Sequence, residues 1–156
     1  MPTSSDHFAE QLLDGARRSG AEEAEVFQSR SQSRPVTFEA NRLKQIDNTQ
    51  ADGIALRVWR NGRPGLAVAY GHVELQTLID RALSLSALND PEEPELASGT
   101  QKHFPDEGHS AAVETLVEWG TEAVASIRDR YDDVICGGGW DCETEETRIL
   151  NTRGLD

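Results

Sequence analysis

Arg57 is the charged residue whose setting most invites chemistry. It stands in Asp52-Gly-Ile-Ala-Leu-Arg-Val-Trp-Arg60 with apolar neighbours on both sides. A guanidinium held there could clamp a carboxylate through two parallel hydrogen bonds. The plainer reading is that Arg57 pairs with an acid of its own chain or carries its head out to water. Asn41 and Arg42, in Phe38-Glu-Ala-Asn-Arg-Leu-Lys44, are the other two candidate residues for binding a substrate or partner.

No residue is a candidate for catalysis or for metal binding. Gly137-Gly138-Gly139 lacks the lysine and spacing of a phosphate loop, and Asp141, Glu143, Glu145 and Glu146 follow it with the wrong charge. A bend or bulge in a strand is the better account. His7, His72, His103 and His109 share no helical face at ligand spacing, although His103 and His109 fall in one connector. Acid pairs such as Glu22-Glu23 and Asp132-Asp133 are too plentiful to single out a general acid and base. There is no Gly-x-Ser-x-Gly, and no Ser or Cys has a recognisable His partner. Cys136 and Cys142 form neither a zinc knuckle nor a disulfide framework.

The charge narrows the partners. With 28 acidic residues against 15 basic ones, the chain carries a formal −13. Such a surface repels phosphate backbones, so direct nucleic-acid binding is not expected. No apolar run reaches the roughly 18 residues of a membrane span, and the N-terminus has no basic and apolar leader. A cytoplasmic protein, with no membrane partner, is the expectation.

The elements that would position these residues read as follows. Helix one covers about 5–19, with Ser4, Ser5 and Asp6 as N-cap candidates and Gly20 as the stop. Residues 24–33 form a polar strand suited to a sheet edge. Pro35 restarts the chain into the alternating Val36-Thr-Phe-Glu39, and 41–50 is a short connector, helical or extended. Asn61-Gly62 then closes a hairpin, because both central residues of a type I′ turn need positive φ. Counting outward pairs Arg60 with Arg63, Val58 with Gly65, Leu56 with Ala67 and Ile54 with Ala69. One face carries large aliphatics opposite Gly and Ala, close enough for a helix to dock. The other carries Ala55, Arg57 and Trp59 with Leu66 and Val68, so both faces want cover. Helix two covers about 73–88 and helix three about 110–131, joined by a proline-rich linker over 91–108. Strands are expected at 134–140 and 148–151. The chain stops at Asp156 just after a turn signal, where a further strand would be the ordinary continuation, so a longer parent protein is expected.

Ala24-Glu-Val-Phe27, Phe38-Glu-Ala-Asn-Arg-Leu-Lys44, Asp52-Gly-Ile-Ala-Leu-Arg-Val58 with Gly62-Arg-Pro-Gly65, helix two with Ala82, and Ile149-Leu-Asn-Thr-Arg-Gly154 follow one another in order. Together they resemble the N-terminal domain of the TldD/PmbA family, known as modulators of DNA gyrase, in which PmbA is also called TldE. The resemblance covers most of the chain and is weakest over 91–108. It implies a cytoplasmic metallopeptidase assembly in which TldD-like and PmbA-like subunits pair, degrade unfolded peptides and trim leaders from certain modified precursors. It also implies zinc, held by a His-Glu-x-x-x-His motif and a Cys in a region after this domain. This sequence has no His-Glu dipeptide, so it cannot supply that site, and no catalytic residue carries over. An effect on gyrase would then run through processing of a peptide inhibitor, not through DNA.

The expectation is therefore one α+β domain over 1–156, an antiparallel sheet built around the central hairpin and packed against three main helices. It would act as a non-catalytic scaffold and partner-contact domain, with no cofactor of its own, beside a TldD-like or PmbA-like subunit in a homo- or heterodimer. An extended peptide substrate could add to the sheet edge at 24–33. The competing readings are a module that binds a small anion at Arg57 and a stand-alone interaction domain.

Overall fold

The structure, a computed structural model, describes residues 4–99, 104 and 108–155, with side chains from His7 onward. It is an α+β fold of antiparallel sheets and helices, as the sequence implies. The chain divides into two compact units. The first is built from the described parts of Met1–Arg30, Ala51–Phe104 and Glu146–Asp156, the second from Ser31–Gln50 and the described parts of Pro105–Glu145.

The first unit starts with α1 (Ser4–Arg18), which buries Ala9, Leu12 and Ala16 at helical spacing. Gly20, at φ 98°, stops it. The expected N-cap side chains at 4–6 lie outside the described residues. Strands β1 (Glu23–Ser33), β4 (Thr49–Arg60), β5 (Arg63–Tyr70) and β7 (Glu143–Asn151) bond in the order β5-β4-β1-β7. Asn61 and Gly62 both have positive φ, and every pair counted from them is found, Val58 with Gly65 and Leu56 with Ala67 included. Gly65 matters for a close approach. A Cβ there would overlap the Ala82 carbonyl and lie 2.6 Å from the Ser86 nitrogen, so α2 (Leu75–Ser86) rests directly on the strand. Leu12, Val26, Leu56, Val58, Leu78, Ile79 and Ala82 meet in the core between helices and sheet.

The opposite face of the hairpin is covered at one end. Trp59 is buried there, whereas Leu66, Val68 and Tyr70 stay exposed. Chain 89–97 is pinned to this unit. Glu92 donates to the Gly62 carbonyl (2.8 Å), Asn89 to that of Pro64 (2.8 Å), and Asn151 to that of Ala97 (2.8 Å), with Leu96 buried. Residues 100–103 and 105–107 of the expected linker, His103 among them, lie outside the described residues.

In the second unit, β2 (Val36–Glu39) lies between β3 (Arg42–Ile46) and β6 (Gly138–Trp140). Helix α3 (Val113–Arg130) packs on this sheet through Leu116 against Val36 and Phe38. The Phe38 ring fills the space beside Gly120, where any Cβ would overlap it. The connector at 41–50 is extended, as β3 and the start of β4.

Three expectations need correction. Residues 24–33 are not a sheet edge. Strand β1 lies between β4 and β7, and β5 and β7 are the edges. Its polar residues reflect half-burial along its length, not a free side. The strand expected at 134–140 is only Gly138–Trp140, because Asn41 captures the backbone before it. The strand expected at 148–151 begins at Glu143, since exposed strand residues need no apolar alternation.

Candidate functional site

Arg57 sits in β4 of the first unit, opposite Leu66. Its Nη2 lies 2.8 Å from Glu92 Oε1, and both side chains are nearly half exposed. Its guanidinium carbon lies 4.5 Å from the centroid of the Trp59 ring. Residues two apart on a strand share a face, which puts the cation on the indole. At this exposure the stacking contributes about 0.5–1 kcal/mol and the ion pair less than about 1 kcal/mol. A guanidinium here can hold a carboxylate, and it already holds that of Glu92. An external anion would have to displace it.

Asn41 and Arg42 belong to the second unit, at the turn between β2 and β3. Ala40 and Asn41 both have positive φ, 48° and 66°, so this is a second two-residue hairpin, flanked by the pair Glu39 and Arg42. The Asn41 side chain is committed. Its Oδ1 accepts from the Cys136 N–H (2.6 Å) and its Nδ2 donates to the Val134 carbonyl (3.3 Å), while its backbone N–H donates to the Cys136 carbonyl (3.1 Å). Asn41 thus anchors the turn to chain 134–136. Arg42 is exposed at the start of β3, beside the Glu39–Lys44 ion pair.

Two further groupings went unseen in the sequence. Arg30 and Asp52 form an ion pair (2.9 Å) at a pocket of about 550 Å³ that Phe8, Ile54, His72 and Val73 also line. No spacing signals a pair between neighbouring strands until the strand order is known. At the end of β7, the Thr152 hydroxyl donates to Glu23, and Arg153 Nε lies 3.0 Å from the same carboxylate. These bonds, Thr152's first, hold the Glu23 carboxyl below the ordinary glutamate range against the partial burial that would raise it.

Cys136 and Cys142 are free, half-buried thiols. Among the described residues no three His, Cys, Asp or Glu side chains come together as a metal-binding group. The zinc implied by the resemblance finds no donor set there, so no chemical step is derived through it. Also among the described residues, no helix is long and apolar enough to cross a membrane.

Residues 24–86 match the family described as PmbA/TldA metallopeptidase domain 1. Over that stretch the chain is similar to the first domain of the PmbA/TldD family. The match takes in β1 to α2, and so Asn41, Arg42 and Arg57. No curated protein matches the chain significantly. Among solved structures, TldE from Thermococcus kodakarensis superposes with a TM-score of 0.77 at 22% identity, over 96% of this chain and 36% of its own. A candidate modulator of a DNA gyrase from Thermotoga maritima gives 0.76 at 16%, over 98% and 36%. Another from Bacteroides thetaiotaomicron gives 0.78 at 18%, over 99% and 38%. At these identities the likeness is one of fold. The chain spans little more than a third of each of these proteins.

Proposed function

We propose that this PmbA/TldD-type domain is the scaffold and partner-contact part of a cytoplasmic metallopeptidase assembly that degrades or matures peptides. Its partner is a TldD-like or PmbA-like subunit, and the zinc chemistry lies outside these residues. The observation that carries the reading is the uncovered half of α3. Leu116 and Gly120 are buried, but Ile127 and Tyr131 on the same apolar stripe are exposed, as is Ile135 beyond the helix. An apolar stripe that outruns its own sheet is surface suited to a partner. Arg42, on the turn that Asn41 anchors, adds a cation to the same unit. Arg57, engaged by Glu92, is a reserve carboxylate clamp that a partner's acid or a peptide terminus would have to win.

The test is co-purification with a TldD-like subunit. Ile127→Asp with Tyr131→Asp is expected to cut the complex at least tenfold, and Arg42→Ala by a smaller factor, with the circular dichroism spectrum unchanged. Complex formation that survives the double substitution would remove α3 from the contact. Arg57→Ala is expected to leave complex formation within about twofold.

A further inference from the structure

The two-residue loop at Asn61-Gly62 fixes which way each backbone group of β5 points. Arg60 and Arg63 close the loop as a hydrogen-bonded pair, so Gly65, Ala67 and Ala69 turn their N–H and C=O groups toward β4. Gly71 continues that parity, donating to the Asp52 carbonyl at 2.9 Å. Pro64, Leu66, Val68 and Tyr70 therefore turn their backbone outward, at the edge of the sheet. Pro64 fits this parity because it has no N–H to give, and Asn89 already takes its carbonyl. The outward N–H and C=O groups of Leu66, Val68 and Tyr70 have no partner among the described residues.

Beside this edge runs a groove of about 640 Å³, walled by β5 and by the face of α2 that carries Thr77, Asp80, Arg81, Ser84 and Leu85. An open strand edge next to a helix is the geometry in which a peptide adds to a sheet. Three residues with alternate backbone groups facing out are complementary to one thing, another extended backbone. They offer three donors and three acceptors to it. The side chains of Leu66, Val68 and Tyr70 lie exposed on one face, so a guest strand would set apolar residues beside them. Asp80 and Arg81 balance within the groove, so the formal −13 of the chain as a whole is what disfavours a second copy in this place and attracts a cationic guest.

We propose that the groove binds an extended polypeptide segment of alternating apolar and basic residues as an added strand on β5. The inference does not rest on the peptidase reading, because binding is read on this chain alone. The probe is a capped eight-residue peptide alternating Val with Lys and Thr, labelled for fluorescence anisotropy. Hydrogen exchange by NMR should show fast exchange at the Leu66, Val68 and Tyr70 amides in the free chain and at least tenfold slowing with saturating peptide. Gly65, Ala67 and Ala69 should be protected in both states. Val68→Pro removes an outward donor, as Pro64 already does in the same strand, and should weaken peptide binding at least tenfold. A matched peptide with Glu for Lys should also bind at least tenfold more weakly. Unchanged exchange at 66, 68 and 70 with bound peptide would overturn the proposal. So would equal affinity for Val68→Pro, or protection that appears without peptide as protein concentration rises, which would assign the edge to a second copy.

Discussion

The two units hold their helices in different ways. In the first, α1 and α2 bury a broad face of small and aliphatic residues against the sheet, from Ala9 and Leu12 to Leu78 and Ala82. In the second, one helix meets a three-stranded sheet through three buried residues, Val36, Phe38 and Leu116. The difference is visible at two glycines. Gly65 lets the α2 backbone touch the β5 backbone, whereas Gly120 lets α3 approach a single ring, that of Phe38. Backbone against backbone cannot yield without moving an element, whereas a ring can turn. The first unit therefore has the larger core, and the second a smaller one; each leaves some apolar surface outside, at β5 in the first and along α3 in the second.

That contrast breaks most sharply at the glycines. Gly65→Ala puts a methyl into the Ala82 carbonyl and against the Ser86 nitrogen and Cβ, and should cost about 3 kcal/mol. Gly120→Ala should cost about 1–2 kcal/mol, because Phe38 can shift toward the open half of α3. Urea titration resolves the two through their tryptophans, Trp59 in the first unit and Trp119 and Trp140 in the second. Equal costs would mean that the ring is as fixed as the backbone.

The same contrast explains what the sequence made legible. The Asn61-Gly62 hairpin could be counted residue by residue, because its turn chemistry sets the register and one buried face sets the phase. The second hairpin carries no such signal, because Ala40-Asn41 has no glycine and Ala seldom accepts positive φ. The β3 strand that follows, exposed throughout, has no burial pattern to betray it. Strand order was hidden as well. Nothing local says that β1 is flanked on both sides, and its polar residues suggested the opposite. Among the candidate site residues, the lone Arg57 could be picked out, but its partner Glu92 lies 35 positions away in a proline-rich stretch with no periodicity.

The two turns can be set against each other directly. Ala40, at φ 48°, pays for a conformation that disfavours a Cβ by about 1 kcal/mol, so Ala40→Gly should stabilise the second unit by somewhat less than that. Asn61→Ala places the same strain in the first hairpin and should cost about 1 kcal/mol. The changes should appear in the Trp119 and Trp140 signals for the first variant and in the Trp59 signal for the second. If Ala40→Gly destabilises, the strain at Ala40 is offset by contacts of its methyl group.

The smallest expected effect concerns acid. Glu23 joins the start of β1 to the end of β7 in the first unit, through Thr152 and Arg153. Its carboxyl is held below the ordinary range, so the folded state favours the ionised form more than the unfolded chain does. A depressed folded value contributes stability above the unfolded value and loses it as pH falls through the folded one. Glu23→Gln keeps an acceptor for Thr152 but loses the charge. The gap in stability between the natural chain and this variant should be full at neutral pH. It should then close as pH falls below the ordinary glutamate value of about 4.3. The closing should follow the Trp59 transition, because the carboxylate and that indole share the first unit. A gap that stays constant from pH 7 to pH 3 would show that Glu23 acts through packing and hydrogen bonding, with no contribution from its charge.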